Sequence, residues 1–311
     1  MIKYSFLIPA YNRVKETDIC INSILNQKIK DFEIIVLNDK STEDFSFIAQ
    51  KYSKDVKFVE HEENGGLSKT RNDLIKEAKG EYFILLDNDD YIDNCFLEII
   101  DPYLKNNPDL ISFTNDEVLD NKVIKTFHKT PFELDTGLNI MCNWIKNQIS
   151  FDSACFYVYN REFFKANNFK YAENKIHEDF GLTPIIISKA KKMISIDKAL
   201  YHVVLSNNSI VRTKDPEKIK KSIYDKLYHY DNLMLYFKNM EMDNDKRNII
   251  YSFLTNSILN NIGKMDKKNN KEFIKGLRRR EVHKYLLNDN LKRKTKKLLV
   301  SINYNFIKYL R

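Results

Sequence analysis

The stretch YFILLDNDDYID, residues 82–93, runs from an apolar segment straight into four carboxylates, Asp87, Asp89, Asp90 and Asp93. Like charges this close repel one another unless they are splayed into solvent or share a cation. The uninterrupted apolar run Tyr82-Phe83-Ile84-Leu85-Leu86 suits a strand covered on both faces. Upstream, KYSFLIPA, FEIIVLND and VKFVEH read as three further strands. Between them lie segments of helical spacing at residues 17–26, 45–52 and 68–78. This βαβα order predicts an α/β fold with a mostly parallel central sheet and helices on both faces. Ligands bind at the carboxyl ends of such strands. Each predicted strand ends there in a distinctive motif: Pro9-Ala10-Tyr11-Asn12, Asn38-Asp39, Asn64-Gly65-Gly66, and the aspartate cluster.

Beyond residue 100 the pattern is less regular, with strands predicted over 110–113 and 199–204 and aromatic runs near 151–159. From residue 215 onward helical spacing returns, in Ile219, Ile223 and Leu227 and again in Ile250, Leu254, Ile258 and Ile262. The expected organisation is an α/β domain over residues 1–212 and a helical, basic region over 213–311. At 43% hydrophobic and 30% charged, the 311-residue chain can bury a sizeable core and is not disordered. No apolar run is long enough for a spanning helix, and MIKYSFLIPAYN lacks the basic start and cleavage site of a signal peptide. A cytoplasmic protein is the expectation. The four cysteines, Cys20, Cys95, Cys142 and Cys155, form no CxxC pair and read as buried free thiols.

The net charge of +8 gathers toward the end, in LKRKTKKLLVSINYNFIKYLR. Two readings fit that segment: a basic amphipathic end lying on the anionic inner face of the cytoplasmic membrane, or a core-packed helix with a solvated lysine face. The basic patches stand apart from the strand-end motifs and no nucleic-acid motif occurs, so no nucleic-acid partner is expected.

On an extended segment Asp87 and Asp89 face one side while Asn88 turns away, a DxD arrangement suited to Mg2+ or Mn2+. An EF-hand is excluded: counting from Asp87, position twelve is Glu98, but position six, where the loop requires glycine, is Ile92. Asp90 and Asp93 serve equally well as helix caps. NGGLSKTRN, residues 64–72, reads either as a plain strand-to-helix connection or as a turn whose helix start and Arg71 approach a phosphate. Neither a GxGxxG nor a P-loop pattern is present. In NKIHEDFGL, Glu178 and Asp179 suit a helix N-terminus or a partly shielded general base.

Taken in order, IPAYN, LND, NGGLSKTRN, LLDNDD, HEDF and LYHVVLSNNSI resemble the bacterial family 2 glycosyltransferases, inverting enzymes of the GT-A fold, over about residues 1–212. The resemblance implies that Pro9, Ala10, Tyr11 and Asn12 line the base and ribose site and that Asp39 contacts the base. Asn64, Gly65, Arg71, Asp87 and Asn88 complete the donor site. Asp89, with Asp87 and His202 as further candidates, would hold Mn2+ or Mg2+. The base falls on Asp179, with Glu178 second, and His202 or Ser209 would touch the diphosphate. Where the family usually has two aspartates after the second strand, this chain has Asn38-Asp39. Implied partners are a nucleotide-sugar donor, with UDP the commonest carrier, and a glycan or lipid-linked acceptor for surface-polysaccharide assembly.

Two other classes share some of these features. A sugar nucleotidyltransferase uses the same substrates but normally carries a Gly-rich, basic loop near its N-terminus, which IPAYNRVKE does not resemble. A non-catalytic module binding nucleotides or an anionic surface would need no base.

Overall fold

The computed structural model describes residues 2–205, 215–287 and 290–309. By their contacts these residues form two compact units. One takes in residues up to 144, 149–174 and 182–205, and the other residues 145–148, 175–181 and those from 215 onward. Where the sequence suggests one boundary at residue 212, the short segment 175–181 therefore groups with the C-terminal helices.

The first unit opens with β1 (Tyr4–Ala10), α1 (Val14–Leu25), β2 (Phe32–Asn38), α2 (Ser46–Lys51), β3 (Val56–Glu60), α3 (Leu67–Glu77) and β4 (Tyr82–Leu85). The remaining elements up to residue 205 are β5 (Tyr91–Ile92), α4 (Phe96–Ile100), β6 (Leu110–Leu119), β7 (Lys122–Thr126), β8 (Phe132–Asp135), α5 (Gly137–Lys146), β9 (Tyr157–Asn160), α6 (Arg161–Ala166), α7 (Glu178–Lys189) and β10 (Met193–Val204). Among the described residues the strands join one sheet in the order β3-β2-β1-β4-β9-β6-β10-β5, with β7 beside β6 and β8 beside β10.

The parallel expectation holds across β3-β2-β1-β4. Every residue of β1 and β4 is buried, which is what continuous apolar runs between two helical layers require. Beyond β4 the sheet is mixed. β9 lies antiparallel to both β4 and β6, whereas β6 and β10 are parallel to each other. Phe83 of β4 stacks on Tyr159 of β9 at 4.8 Å between ring centroids, so an aromatic pair secures the change of direction.

Lys129, between β7 and β8, has its ammonium enclosed by the rings of Trp144, Phe156 and Tyr157. It donates to Ser112 Oγ at 2.9 Å and to the Phe113 carbonyl at 3.0 Å, pinning its loop to β6. Burial brings its ammonium down to about 7. All four cysteines are free thiols; Cys20, Cys142 and Cys155 are buried and Cys95 is half-buried.

The second unit holds α8 (Pro216–Asn239), α9 (Asn244–Leu259), α10 (Lys267–Arg279) and α11 (Leu291–Ile302). Each begins at a side-chain cap: Asp215, Asp243, Asp266 and Asn290 accept backbone N–H groups of the first turn. Most of the spacing read from sequence is the buried face: Ile223 and Leu227 on α8, and Ile250, Leu254 and Ile258 on α9, are 7% exposed or less, whereas Ile219 in the first turn of α8 is half-buried. No helix among the described residues is long and apolar enough to cross a membrane.

Candidate active site

The parallel ladder carries past the strand ends and brings four loops to one edge of the sheet. Asp39 N–H donates to the Ala10 carbonyl at 2.8 Å, His61 N–H to that of Asn38 at 3.0 Å, and Leu86 N–H to that of Leu7 at 3.0 Å. Pro9 and Ala10 are buried inside β1, so in this group Tyr11 presents the exposed side chain, at 48%. Asn12 and Arg13 both take left-handed backbone angles, φ 57° and 62°. The Asn12 side-chain oxygen accepts from the backbone N–H groups of Thr42 and Glu43, which ties the first loop to the second. Asparagine tolerates that conformation and supplies the acceptor at once.

Asp39 does the same for the third loop. Its two carboxylate oxygens accept from the Gly65 and Gly66 N–H groups, each at 2.8 Å, and its carbonyl accepts from the Asn64 amide at 2.9 Å. Gly66, at φ 79°, then opens α3, a conformation that disfavours any residue with a Cβ. The NGG motif is thus folded around Asp39. His61, which the sequence reading passed over, lies with Nδ1 2.7 Å from Asp39 Oδ1 and Nε2 3.2 Å from Asp73 Oδ2. Against the cost of partial burial, Lys69 and Lys76 hold the Asp73 carboxyl down at about 2.

The DxD segment is not extended, contrary to the geometry assumed from sequence. Asp90 N–H donates to the Asp87 carbonyl at 3.1 Å and closes a turn over Asn88 and Asp89. A turn rather than side-chain alternation therefore sets their directions. Asn88 is buried, and its amide donates to the Asn12 carbonyl at 2.9 Å and to Thr17 Oγ1 at 2.8 Å. Asp90 is buried too and accepts from Tyr201 Oη and Val204 N–H, each at 2.8 Å, joining the turn to β10. Burial and then the charges of Asp87 and Asp89 push its carboxyl well above the usual range.

Two guanidinium groups meet the remaining carboxylates. Arg71, 3% exposed, reaches from α3 to Asp87 Oδ1 at 2.8 Å. Arg13 pairs with Asp89. Burial, then Asp87, raises the Asp89 carboxyl despite Arg13. Arg13 directly follows IPAYN, and the sequence signal for it is a fixed cation beside a motif expected to meet an acidic cluster.

Mn2+ or Mg2+ fits this donor set in one way. Among the described residues no three His, Cys, Asp or Glu side chains are grouped to hold a metal by themselves. Asp89 and Asp87 supply hard oxygen donors, which suit a cation whose other positions are filled by water and phosphate oxygens. His202 does not join them. It stacks on Tyr91 and places Nδ1 3.5 Å from Asp116 and Nε2 3.7 Å from Asp93. Ser209 lies outside the described residues.

Glu178 and Asp179 start α7 within the second unit. Glu178 is buried, whereas Asp179 is half-buried and accepts from the Phe180 N–H through Oδ1 at 2.7 Å.

Residues 5–167, more than half of the chain, match the model of the glycosyl transferase family 2. The chain belongs to that family. The glycosyltransferase is 27% identical to EpsJ of Bacillus subtilis, an uncharacterized glycosyltransferase, over 66% of its own length and 62% of EpsJ. It spans less than two thirds of EpsJ and a smaller share of longer relatives. Staphylococcus aureus TarS, residues 1–349 in complex with UDP-GlcNAc, shares the fold with a TM-score of 0.71 at 21% identity, over 91% of this enzyme and 83% of TarS. The mannosyltransferase PcManGT of Pyrobaculum calidifontis, in complex with GDP-Man and Mn2+, aligns with a TM-score of 0.59 at 11% identity, over 99% of this enzyme and 83% of that chain. Membership of the family sets aside the nucleotidyltransferase.

Proposed function

We propose that the enzyme moves a hexose or N-acetylhexosamine from a UDP-linked donor to a hydroxyl of a surface-glycan precursor, with inversion at the anomeric carbon. The observation that carries this reading is the Arg13–Asp89 and Arg71–Asp87 pairing at the edge where four parallel-strand loops meet. Tyr11 and Asn12 border the nucleoside, and Asp39 shapes the loop that starts α3. Arg71 offers a buried positive charge to the diphosphate. When bound, Mn2+ or Mg2+ at Asp89 supplies Lewis-acid neutralisation of the leaving diphosphate. The acceptor hydroxyl oxygen forms its bond to the anomeric carbon as the bond from that carbon to the phosphate oxygen breaks. Asp179 takes the hydroxyl proton, and the nucleoside diphosphate departs. The UDP-GlcNAc complex of TarS and the Mn2+ complex of PcManGT support the donor class and the cation.

Calorimetric titration with UDP, GDP, TDP and CMP, each with and without Mn2+, tests the donor. UDP is expected to bind most tightly, and only with Mn2+ at full strength. Equal binding of all four nucleotides would overturn the UDP assignment.

The acceptor reading extends to α11. Leu291, Leu298 and Ile302 are 81%, 61% and 66% exposed on one side of this helix, while Val300 is buried on the other. Lys292 and Lys294 are exposed beside them. Apolar residues facing outward among lysines match an anionic bilayer surface, where a lipid-linked acceptor resides. Sedimentation with phosphatidylglycerol vesicles should retain the enzyme at low salt and release it at high salt; no retention at low salt would remove the membrane role.

A further inference from the structure

Helix α8 presents Ser222, Asp225, Lys226 and His229 at intervals of three, four and seven residues, so they share one face. All four meet the segment 175–181. Asp225, 5% exposed, accepts from Lys175 Nζ at 2.9 Å, from Ile176 N–H at 3.1 Å, and from Lys221 on its own helix. His229, 3% exposed, donates through Nε2 to the Ile176 carbonyl at 3.1 Å. Ser222 Oγ lies 2.8 Å from His177 Nε2, and Lys226 Nζ stands 4.8 Å from the centre of the Phe180 ring. The approach is close enough that a Cβ on Gly181 would sit 2.1 Å from His229 Nδ1.

The gripped segment has a demanding shape. His177 is left-handed at φ 64°, and its carbonyl accepts from Gly181 N–H at 3.0 Å to form the turn holding Glu178 and Asp179. A non-glycine residue in that conformation is costly and persists where its surroundings impose it. α8 can impose it because its apolar side is anchored: Leu233 and Phe237 are fully buried, and Tyr230 Oη reaches Thr255 Oγ1 of α9 at 3.5 Å. Against the cost of its burial, Lys221, Lys175 and the Ile176 N–H keep the Asp225 carboxyl below the usual range, so it grips as an anion.

We propose that Asp225 is a positioning residue for transfer, holding the 175–181 turn so that Asp179 meets the acceptor in one orientation. The inference rests on Asp179 being the base. It makes α8, which lies beyond the family match ending at residue 167, part of the catalytic apparatus. A loosened base costs turnover more than donor affinity, because small displacements of a catalytic group cost rate steeply.

The test uses the full chain as Asp225→Ala and Asp225→Asn, the second keeping one acceptor oxygen without the charge. Hydrogen exchange over residues 172–183 reads the grip without any turnover. Release of UDP from UDP-GlcNAc, with water as acceptor, reads its consequence. In Asp225→Ala, exchange of the Ile176–Gly181 amides should rise by about tenfold or more while α9 and α10 keep their protection. Turnover should fall by about tenfold, with KM for the nucleotide sugar within about twofold and Asp225→Asn intermediate. Unchanged exchange in both variants would overturn the proposal, as would loosened exchange with wild-type kcat. If Asp179→Asn turned over as wild type while Asp225→Ala exchanged faster, the base reading would fail and the structural anchoring by Asp225 would stand.

Discussion

Asp179→Asn should bind UDP with wild-type affinity and lose transfer by a factor of about 10² to 10⁴, the usual contribution of a general base. The substitution is close to isosteric, and its side-chain oxygen can still accept from the Phe180 N–H that now meets Asp179 Oδ1. The turn therefore keeps this hydrogen bond. What disappears is a carboxylate able to take the proton from the attacking hydroxyl. Glu178→Gln is the matched control: Glu178 is buried, while Asp179 is half-buried. Calorimetry with UDP and initial-rate measurements on both variants separate the roles. Transfer close to wild type in Asp179→Asn would remove its assignment, and a selective loss in Glu178→Gln would move the base one residue back.

The half of the sheet that carries the strand-end loops is legible because its central strands, β1 and β4, are buried on both faces and read as unbroken apolar runs. Legibility ends where polar side chains are buried within the sheet. The apolar run predicts a strand ending at Phe113, yet Thr114, Asn115 and Asp116 continue β6 and are 8% exposed or less. Thr126 Oγ1 donates to Asp116 Oδ1 at 2.6 Å, a cross-strand partner that no local pattern announces. β7 is exposed along its whole length and so has no apolar alternation to reveal it. The site shows the same division. Residue types at strand ends pointed to the four loops, whereas the turn at Asn88-Asp89, the clamp from Asp39 to two backbone N–H groups and the pairing of Arg13 depend on contacts distant in sequence. On α8, the stripe Ser222, Asp225, Lys226 and His229 reads as an ordinary polar face until the segment it grips is folded against it.

Asp89→Asn should separate cation binding from stability. Asp87, Asp89 and Asp90 lie within four residues, and burial, then mutual repulsion, raises the carboxyls of Asp89 and Asp90. Neutralising Asp89 relieves that repulsion while giving up a partly exposed pair with Arg13, worth about 0–1 kcal/mol. The two effects oppose each other, so unfolding stability should change by no more than about 1 kcal/mol. Cation binding has no such compensation, because an amide oxygen retains a donor but not the charge that favours a hard divalent ion. The gain in UDP affinity on adding Mn2+ should therefore vanish, and transfer should fall by about 10² or more as the leaving diphosphate loses its neutralising cation. Thermal unfolding and calorimetry of one preparation test both halves. A variant of unchanged stability that still gains UDP affinity with Mn2+ would place the cation elsewhere and leave Asp89 as the partner of Arg13 alone. A variant that binds UDP weakly and ignores Mn2+ would show that the carboxylates cluster at this strand end for the cation, against their own repulsion.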